Sequence, residues 1–275
     1  LSPCAPGGMQ ALLAFVCWQG PFSIEVHSWY NWVMQRLIEG AHALGLHLTS
    51  EQQDAFQCYY EELVAWNEKF NLTAITEYEQ VQIRHFLDSL SCLIAEEARR
   101  ALSRPYARAV DVGTGAGFPG IPLKLVCPGV RLTLLEATGK KVTFLEHVVD
   151  RLKLKRVTVV KARAEELAHE PAHRQQYDLA LARAVADLPV VVEYTLPFCK
   201  VGGWVIAQKG EAGAAEAWSA DRSITLLGGE LRRVVPVELA GLHEDRSLVD
   251  IEKTCPTPET YPRRPGIPGK RPLLN

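Results

Sequence analysis

Apolar positions recur at helical spacing in the first third of the chain and in short alternating blocks after it. From about Trp32 to Arg100 the pattern predicts helices. In "TSEQQDAFQCYYEELVAWNEKF", Ser50 or Thr49 is placed to cap a helix, and acids follow in its first turn. Phe56, Tyr59, Tyr60, Leu63, Val64 and Trp66 then repeat at the spacing of one helix face. Val81, Ile83, Phe86, Leu87, Leu90 and Leu93 predict a second helix from about Glu77 to Glu97. The run "EEARRALSRPYAR" reads as a charged connection.

From Arg108 the period changes. "AVDV", "RLTLLE", "VTVVKA", "YDLALA" and "GWVIAQ" read as strands, and "IPLKLVC", "KKVTFLEHVVDRLKL" and "LPVVVEYTLPFC" as intervening helices. This succession predicts a mainly parallel sheet with helices on both faces. "ITLLGGELRRVVPVEL" and "RSLVDIEKTC" predict two closing strands as an antiparallel edge hairpin. The expected domain layout is an extension over residues 1–30, a helical region over 31–104 and an α/β domain over 105–275.

The first strand ends in "VDVGTGAGFPG", which contains G-x-G-x-x-G at Gly115, Gly117 and Gly120. A dinucleotide site would use free amides at the start of the next helix to hold pyrophosphate. Pro119 and Pro122 fall in that first turn and bring no N–H. Asp111 adds negative charge where a phosphate would approach. Both features favour a cationic ligand without phosphate, and S-adenosylmethionine (AdoMet) has that character. Ligands of such sheets lie at the carboxyl ends of the strands. Glu136 ends the second strand, where a carboxylate can accept ribose hydroxyls. Ala164 and Glu165 follow the third, where the adenine edge would lie.

Net charge is −2 in 275 residues, so any RNA affinity must come from a local patch. Apolar content of 47% and charged content of 23% are those of an ordinary globular protein. The seven cysteines form no C-x-x-C pair, which favours reduced thiols and a cytoplasmic setting. No metal site is expected. "MQALLAFVCWQG" has the apolarity of a signal-peptide core. It lacks a preceding Lys or Arg and a clear cleavage site, so residues 1–30 are expected to be a poorly ordered extension or sequence upstream of a start at Met34.

With these residues in view, the chain resembles the RsmG (GidB) family over about Gln53 to Leu273. The resemblance rests on "FNLTAI", "RHFLDSL", "DVGTGAGFPGIPLK", "LLEATGKKVTFL", "RAEELA", "ARAVADL", "QKG" and "ETYPRRPGIPGKRPL". It implies a class I AdoMet-dependent methyltransferase fold, Rossmann-like and seven-stranded, with a helical N-terminal part. It also implies methylation of N7 of a guanine in 16S ribosomal RNA, as RNA or in the small subunit; a monomer is expected. Carried onto matching positions, cofactor contacts would be Gly113, Phe118, Glu136, Ala137, Thr138, Ala164, Glu165 and Arg183. Asp111 and Gly115 join them from the loop.

Other residues are candidates on their own chemistry. Arg183 follows the fourth strand and could face the cofactor. Asn71, His85 and Asp88 could hydrogen-bond one another and pin the helical part against the glycine loop. Arg183 and Lys209 are expected to position substrate, with Lys209 reaching a substrate phosphate at the mouth of the site. The tail carries Lys253, Arg263, Arg264, Lys270 and Arg271 against one acid, Glu259, and six prolines. An extended basic strip of that kind suits a phosphate backbone. Two other classes stay in play: a non-catalytic ribosome assembly factor that binds rRNA, and a nicotinamide-dependent oxidoreductase.

Overall fold

The computed structural model of the protein describes residues 34–274, so the expectation for residues 1–30 lies outside the described part. The chain enters as α1 (Gln35–Ala43) and α2 (Ser50–Phe70). Thr49, not Ser50, is the N-cap of α2. Its hydroxyl accepts from Gln52 N while the Gln52 side chain accepts from Thr49 N, a complete capping box. Glu77 caps the short α3 (Tyr78–Val81) by accepting from Glu79 N and Gln80 N. The predicted single helix over 77–97 is then interrupted. It widens to a π-turn at Gln82–Leu87, returns to α4 (Asp88–Leu90) and tightens to a 3₁₀ turn at Ser91–Ile94. The predicted connection is itself a helix, α5 (Glu96–Ser103), whose Ala98, Ala101 and Leu102 are buried.

The sheet contains β1 (Arg108–Val112), β2 (Arg131–Glu136), β3 (Val157–Lys161), β4 (Tyr177–Arg183), β5 (Cys199–Lys209), β6 (Gly229–Val237) and β7 (Arg246–Lys253). Its order is 3-2-1-4-5-7-6. β7 runs antiparallel to both β5 and β6, and the other pairs are parallel. Strand order reverses between β1 and β4, which opens a crevice at their carboxyl ends. The connecting helices are α6 (Gly120–Val126), α7 (Gly139–Arg151), α8 (Ala164–Leu167), α9 (Leu188–Thr195), α10 (Gly213–Ser219) and α11 (Asp221–Leu226), with α12 (Ile267–Lys270) in the tail. The start of the predicted "ITLLGG" strand is therefore helix α11. Buried Ile224 accounts for its apolar signal, and Gly228 at φ +79° turns the chain into β6.

One apolar cluster joins the helical part to one face of the sheet: Phe56, Tyr59, Phe86 and Leu90 pack with Phe118, Ile121 and Leu134. Each fully buried side chain of that size contributes about 1.5–3 kcal/mol. A second cluster lies on the other face, around Val110, Val112, Phe198 and Ile251. The Tyr59 hydroxyl donates to Ala116 O at 2.5 Å, so α2 also grips the glycine loop by its backbone.

Candidate functional site

The glycine loop folds around two carboxylates of the protein itself. Asp111 is fully buried, and its Oδ2 accepts from Thr114 Oγ1 at 2.5 Å and from Gly120 N at 2.8 Å. A Cβ at position 120 would lie 2.8 Å from that same oxygen, which demands glycine. Burial pushes the Asp111 carboxyl up to about 6, against the pull of both hydrogen bonds. Asp111 therefore fixes the loop from beneath, and its side chain lines neither cleft.

Six of the loop amides are spent. Gly113 N and Thr114 N donate to Leu135 O, Gly117 N and Phe118 N to Thr114 O, Gly115 N to Glu136 Oε2, and Gly120 N to Asp111. No anion-binding nest of free N–H groups is left at these positions, which removes the basis for a pyrophosphate site. Gly115 sits at φ +63° with open space around its missing side chain, so the backbone angle is what requires glycine there.

Two clefts flank the chain leaving β4. The first, about 150 Å³, lies over the ends of β1, β2 and β3. It brings together the predicted Gly113, Glu136, Ala137, Thr138, Ala164 and Glu165, and adds Val185 and Tyr194. Glu136 Oε1 accepts from Thr138 N and Oε2 from Gly115 N, which holds the carboxylate flat at the strand end. Glu165 Oε1 accepts from Gly266 N at 2.9 Å, a contact supplied by the tail. Tyr194 hydrogen-bonds Glu165, and burial together with that acid raises its hydroxyl to about 12.

The second cleft, about 470 Å³, lies between the helical part and the ends of β4 and β5. Its lining includes Arg84, His85, Asp88, Arg183, Gln208, Lys209 and Arg246. Arg183 organises one wall: Nη1 donates to Asp88 Oδ2 at 2.8 Å and Arg84 O at 3.1 Å, and Nη2 reaches His85 Nδ1 at 3.2 Å. Nδ1 faces both this donor and the Arg84 carbonyl oxygen at 3.2 Å, and Nε2 lies 2.9 Å from Thr73 Oγ1. Burial, then the Arg183 charge, lowers His85 to about 3, so the ring is neutral at physiological pH. Asn71 takes no part in this group. It ends α2 in a left-handed conformation, and Thr73 is the partner of His85.

Several expected contacts are redirected. The Phe118 side chain lines neither cleft; it stacks on His85 at 4.5 Å and on Tyr59 at 5.4 Å. Lys209 reaches the second cleft, but its ammonium already meets Glu216 and Ala186 O, both at 2.7 Å. Lys253 is fully buried and donates to Leu227 O and Thr257 Oγ1, so it is no part of an RNA surface. It ends a strand on the inward side, and burial lowers it to about 8.

The tail is docked rather than a free strip. Arg174 donates to the carbonyls of Thr257, Pro258 and Tyr261, and His169 meets Pro262 O at 2.8 Å. Arg263 makes a bidentate pair with fully buried Glu193, through Nε at 2.9 Å and Nη2 at 2.6 Å. Arg264, Lys270 and Arg271 are the tail cations left exposed. Tyr194, Arg84, Gln208 and Arg246 were missed from sequence, although "RHFLDSL" and "QKG" already held two of them. Among the described residues no group of three or more His, Cys, Asp or Glu could hold a metal ion, and no helix is long and apolar enough to cross a membrane.

This geometry agrees with what the chain is similar to. The family model described as rRNA small subunit methyltransferase G (GidB) matches residues 52–249. The ribosomal RNA small subunit methyltransferase G of Dehalococcoides mccartyi (strain CBDB1) is 47% identical over 241 residues, 88% of this chain and 100% of that protein. The protein of the same name from Roseiflexus castenholzii is also 47% identical, over the same shares of the two chains. Among solved structures, MtNAS in complex with MTA and tNA aligns over 79% of this chain and 81% of its own, with TM-score 0.50 and 18% identity, a likeness of fold alone. On sequence, sheet order and site together, the chain belongs to the rRNA small subunit methyltransferase G (GidB) family.

Proposed function

We propose that this protein transfers the methyl group of AdoMet to N7 of a guanine in 16S rRNA, acting as a monomer in the cytoplasm. The observation that carries the reading is the pair of clefts on either side of the β4 end. One is lined by carboxylates and the other is rimmed by arginines.

The first cleft fits AdoMet. Glu136 keeps a lone pair on each oxygen for the ribose hydroxyls, since each oxygen accepts one backbone bond. Ala164 and Glu165 offer the adenine edge a backbone amide and a carboxylate. The spent amides of the loop and the acids around it suit a cation and repel a phosphate. AdoMet supplies a methyl carbon on a positively charged sulfur, a leaving group that needs no proton.

In the second cleft His85 is no competent general base. His85 is neutral, but at about 3 it is too weak to take a proton from a hydroxyl or an amine. That favours a nucleophile with a ready lone pair, and guanine N7 has one in the plane of the ring. The task left to the protein is alignment and exclusion of water, worth roughly 7–11 kcal/mol when geometry is right. Arg183, held by three partners, is the positioning residue on the shared wall.

The reading is tested with unmethylated small subunits and methyl-labelled AdoMet. Label is expected in 16S rRNA, at guanine N7 by mass spectrometry of digested nucleosides. Label at another atom overturns the N7 assignment. AdoMet binding without transfer makes the protein an assembly factor, and saturable binding of NADH in place of AdoMet overturns the cofactor.

A further inference from the structure

Two buried acceptors in the arginine-rimmed cleft have no hydrogen-bond donor. They are Asp88 Oδ1 and Gln208 Oε1. Their residues are 4% and 5% exposed, and both line the cleft. The rest of each side chain is fixed. Asp88 Oδ2 is taken by Arg183 Nη1 at 2.8 Å. Gln208 Nε2 donates to Asp88 O at 2.6 Å and to Ser91 Oγ at 3.3 Å, which spends both amide hydrogens and sets the direction of Oε1. Arg246 Nε lies 3.7 Å from Asp88 Oδ1, beyond hydrogen-bond reach. A buried acceptor without a donor is costly, and these two belong to residues joined directly by the Gln208 Nε2–Asp88 O bond.

We propose that Asp88 and Gln208 read the Watson–Crick edge of the substrate guanine. The inference rests on the proposed methylation of guanine and names the residues that select it. Of the four RNA bases only guanine presents two adjacent donor groups, N1–H and N2–H₂. Adenine and cytosine place an acceptor beside their amino group, and uracil flanks its single N–H with two carbonyls. Two neighbouring acceptors therefore match guanine and oppose the other bases. Enzymes that work on a base take it out of the stack and read it by that edge. Gripping the Watson–Crick edge leaves N7 free on the opposite side of the ring. Methylation makes the ring cationic and its N1–H more acidic, so a carboxylate bond there strengthens as the reaction proceeds.

The test is inhibition of methyl transfer to unmethylated small subunits by GMP, IMP and AMP. IMP lacks only the N2 amino group. GMP is expected to compete with subunits at least tenfold better than IMP, and AMP not to compete, because IMP strands one buried acceptor. In Gln208→Met, similar in volume, the partner of N2 is lost, so GMP and IMP should become equal, with AdoMet affinity and melting temperature kept. Asp88→Asn, which turns an N–H toward N1–H, should weaken GMP and IMP alike and lower kcat, a separate readout should the first variant fail to fold. Equal inhibition by GMP and IMP in the wild type, no inhibition by GMP, a wild-type ratio in Gln208→Met, or wild-type inhibition by both nucleotides in Asp88→Asn overturns the assignment. Methylation of subunits by the wild type, measured in the same assay, shows separately whether the underlying activity holds.

Discussion

The guanidinium carbon of Arg183 lies 4.9 Å from the centre of the Phe118 ring, so the end of β4 rests on the glycine loop that follows β1. His85 stacks on the same ring, and Tyr59 lies against it from α2. The loop, the helical part and the substrate wall are thus one mechanical unit. Arg183 reaches all three through a planar fork that a lysine cannot imitate.

Arg183→Lys should leave the fold intact, since the residue is at the rim of the core. It loses the forked reach to Asp88 and Arg84 through one nitrogen and to His85 through the other, and it shifts the stack on Phe118. We expect kcat to fall by tenfold or more with AdoMet affinity changed by only a few-fold. Single-turnover rates and equilibrium dialysis on one preparation measure both. A wild-type rate would remove Arg183 from the site.

His85 supplies no proton. Its unfolded value near 6.5 falls to about 3 in the fold, so it stays neutral across the physiological range. The single-turnover rate with bound RNA should be nearly flat between about pH 6.5 and 8.5. His85→Ala should lower activity through loss of the Thr73 and Arg183 contacts, without changing the shape of the profile. A unit-slope limb in the wild type that vanishes in the variant would make His85 a proton carrier and overturn this mechanism.

Asp111 gives the opposite sign of a pH effect. Its carboxyl is raised from 3.8 to about 6, so the folded state holds the proton more tightly than the unfolded chain. Its contribution to stability is full below about pH 4 and is lost as pH rises through about 6. Asparagine has no charge to bury. Asp111→Asn should therefore gain on the wild type by about 2–3 kcal/mol between pH 4 and pH 7, in urea unfolding at each pH. A pH-independent difference would show that the buried carboxyl does not titrate in this window.

The helical spacing of residues 50–70 and the strand–helix alternation after Arg108 were legible because each buries one regular face. Charge hid the rest. In α5, Glu96, Glu97, Arg99 and Arg100 outnumber the three small apolar residues that face inward, so the segment looked like a connection. The π-turn at 82–87 leaves the apolar spacing of its helix almost unchanged, so the pattern could not reveal it. In the site, the strand-end rule located Glu136 and Glu165 but could not tell that Asp111 faces down into the loop. Nor does a count of basic residues distinguish Lys253, at the inward end of β7, from Arg264 on the surface.

The tail cations should consequently separate into two kinds. Replacing Arg264, Lys270 and Arg271 together by Ala is expected to lower the salt slope of RNA binding by about 2–3 and to spare AdoMet. Arg263→Ala leaves the buried Glu193 charge without its counter-ion, held only by the backbone N–H of residue 263, which should cost about 3–5 kcal/mol of stability and weaken AdoMet binding through the Gly266–Glu165 contact. Thermal melts, AdoMet titrations and salt titrations on both variants resolve the two. Equal effects on all three measurements would mean that the tail acts as one undivided surface.

Arg174 holds Pro258 only by its carbonyl oxygen, and every amino acid brings the same carbonyl. The exposed stretch from 258 to 260 can therefore drift during evolution with the grip intact. Five residues on, drift stops. Arg263 is matched atom by atom to a carboxylate, and Gly266 combines φ +79° with the amide that aims Glu165. The tail should carry a neutral stretch and an invariant one side by side, divided by whether any residue could supply the contact or only one.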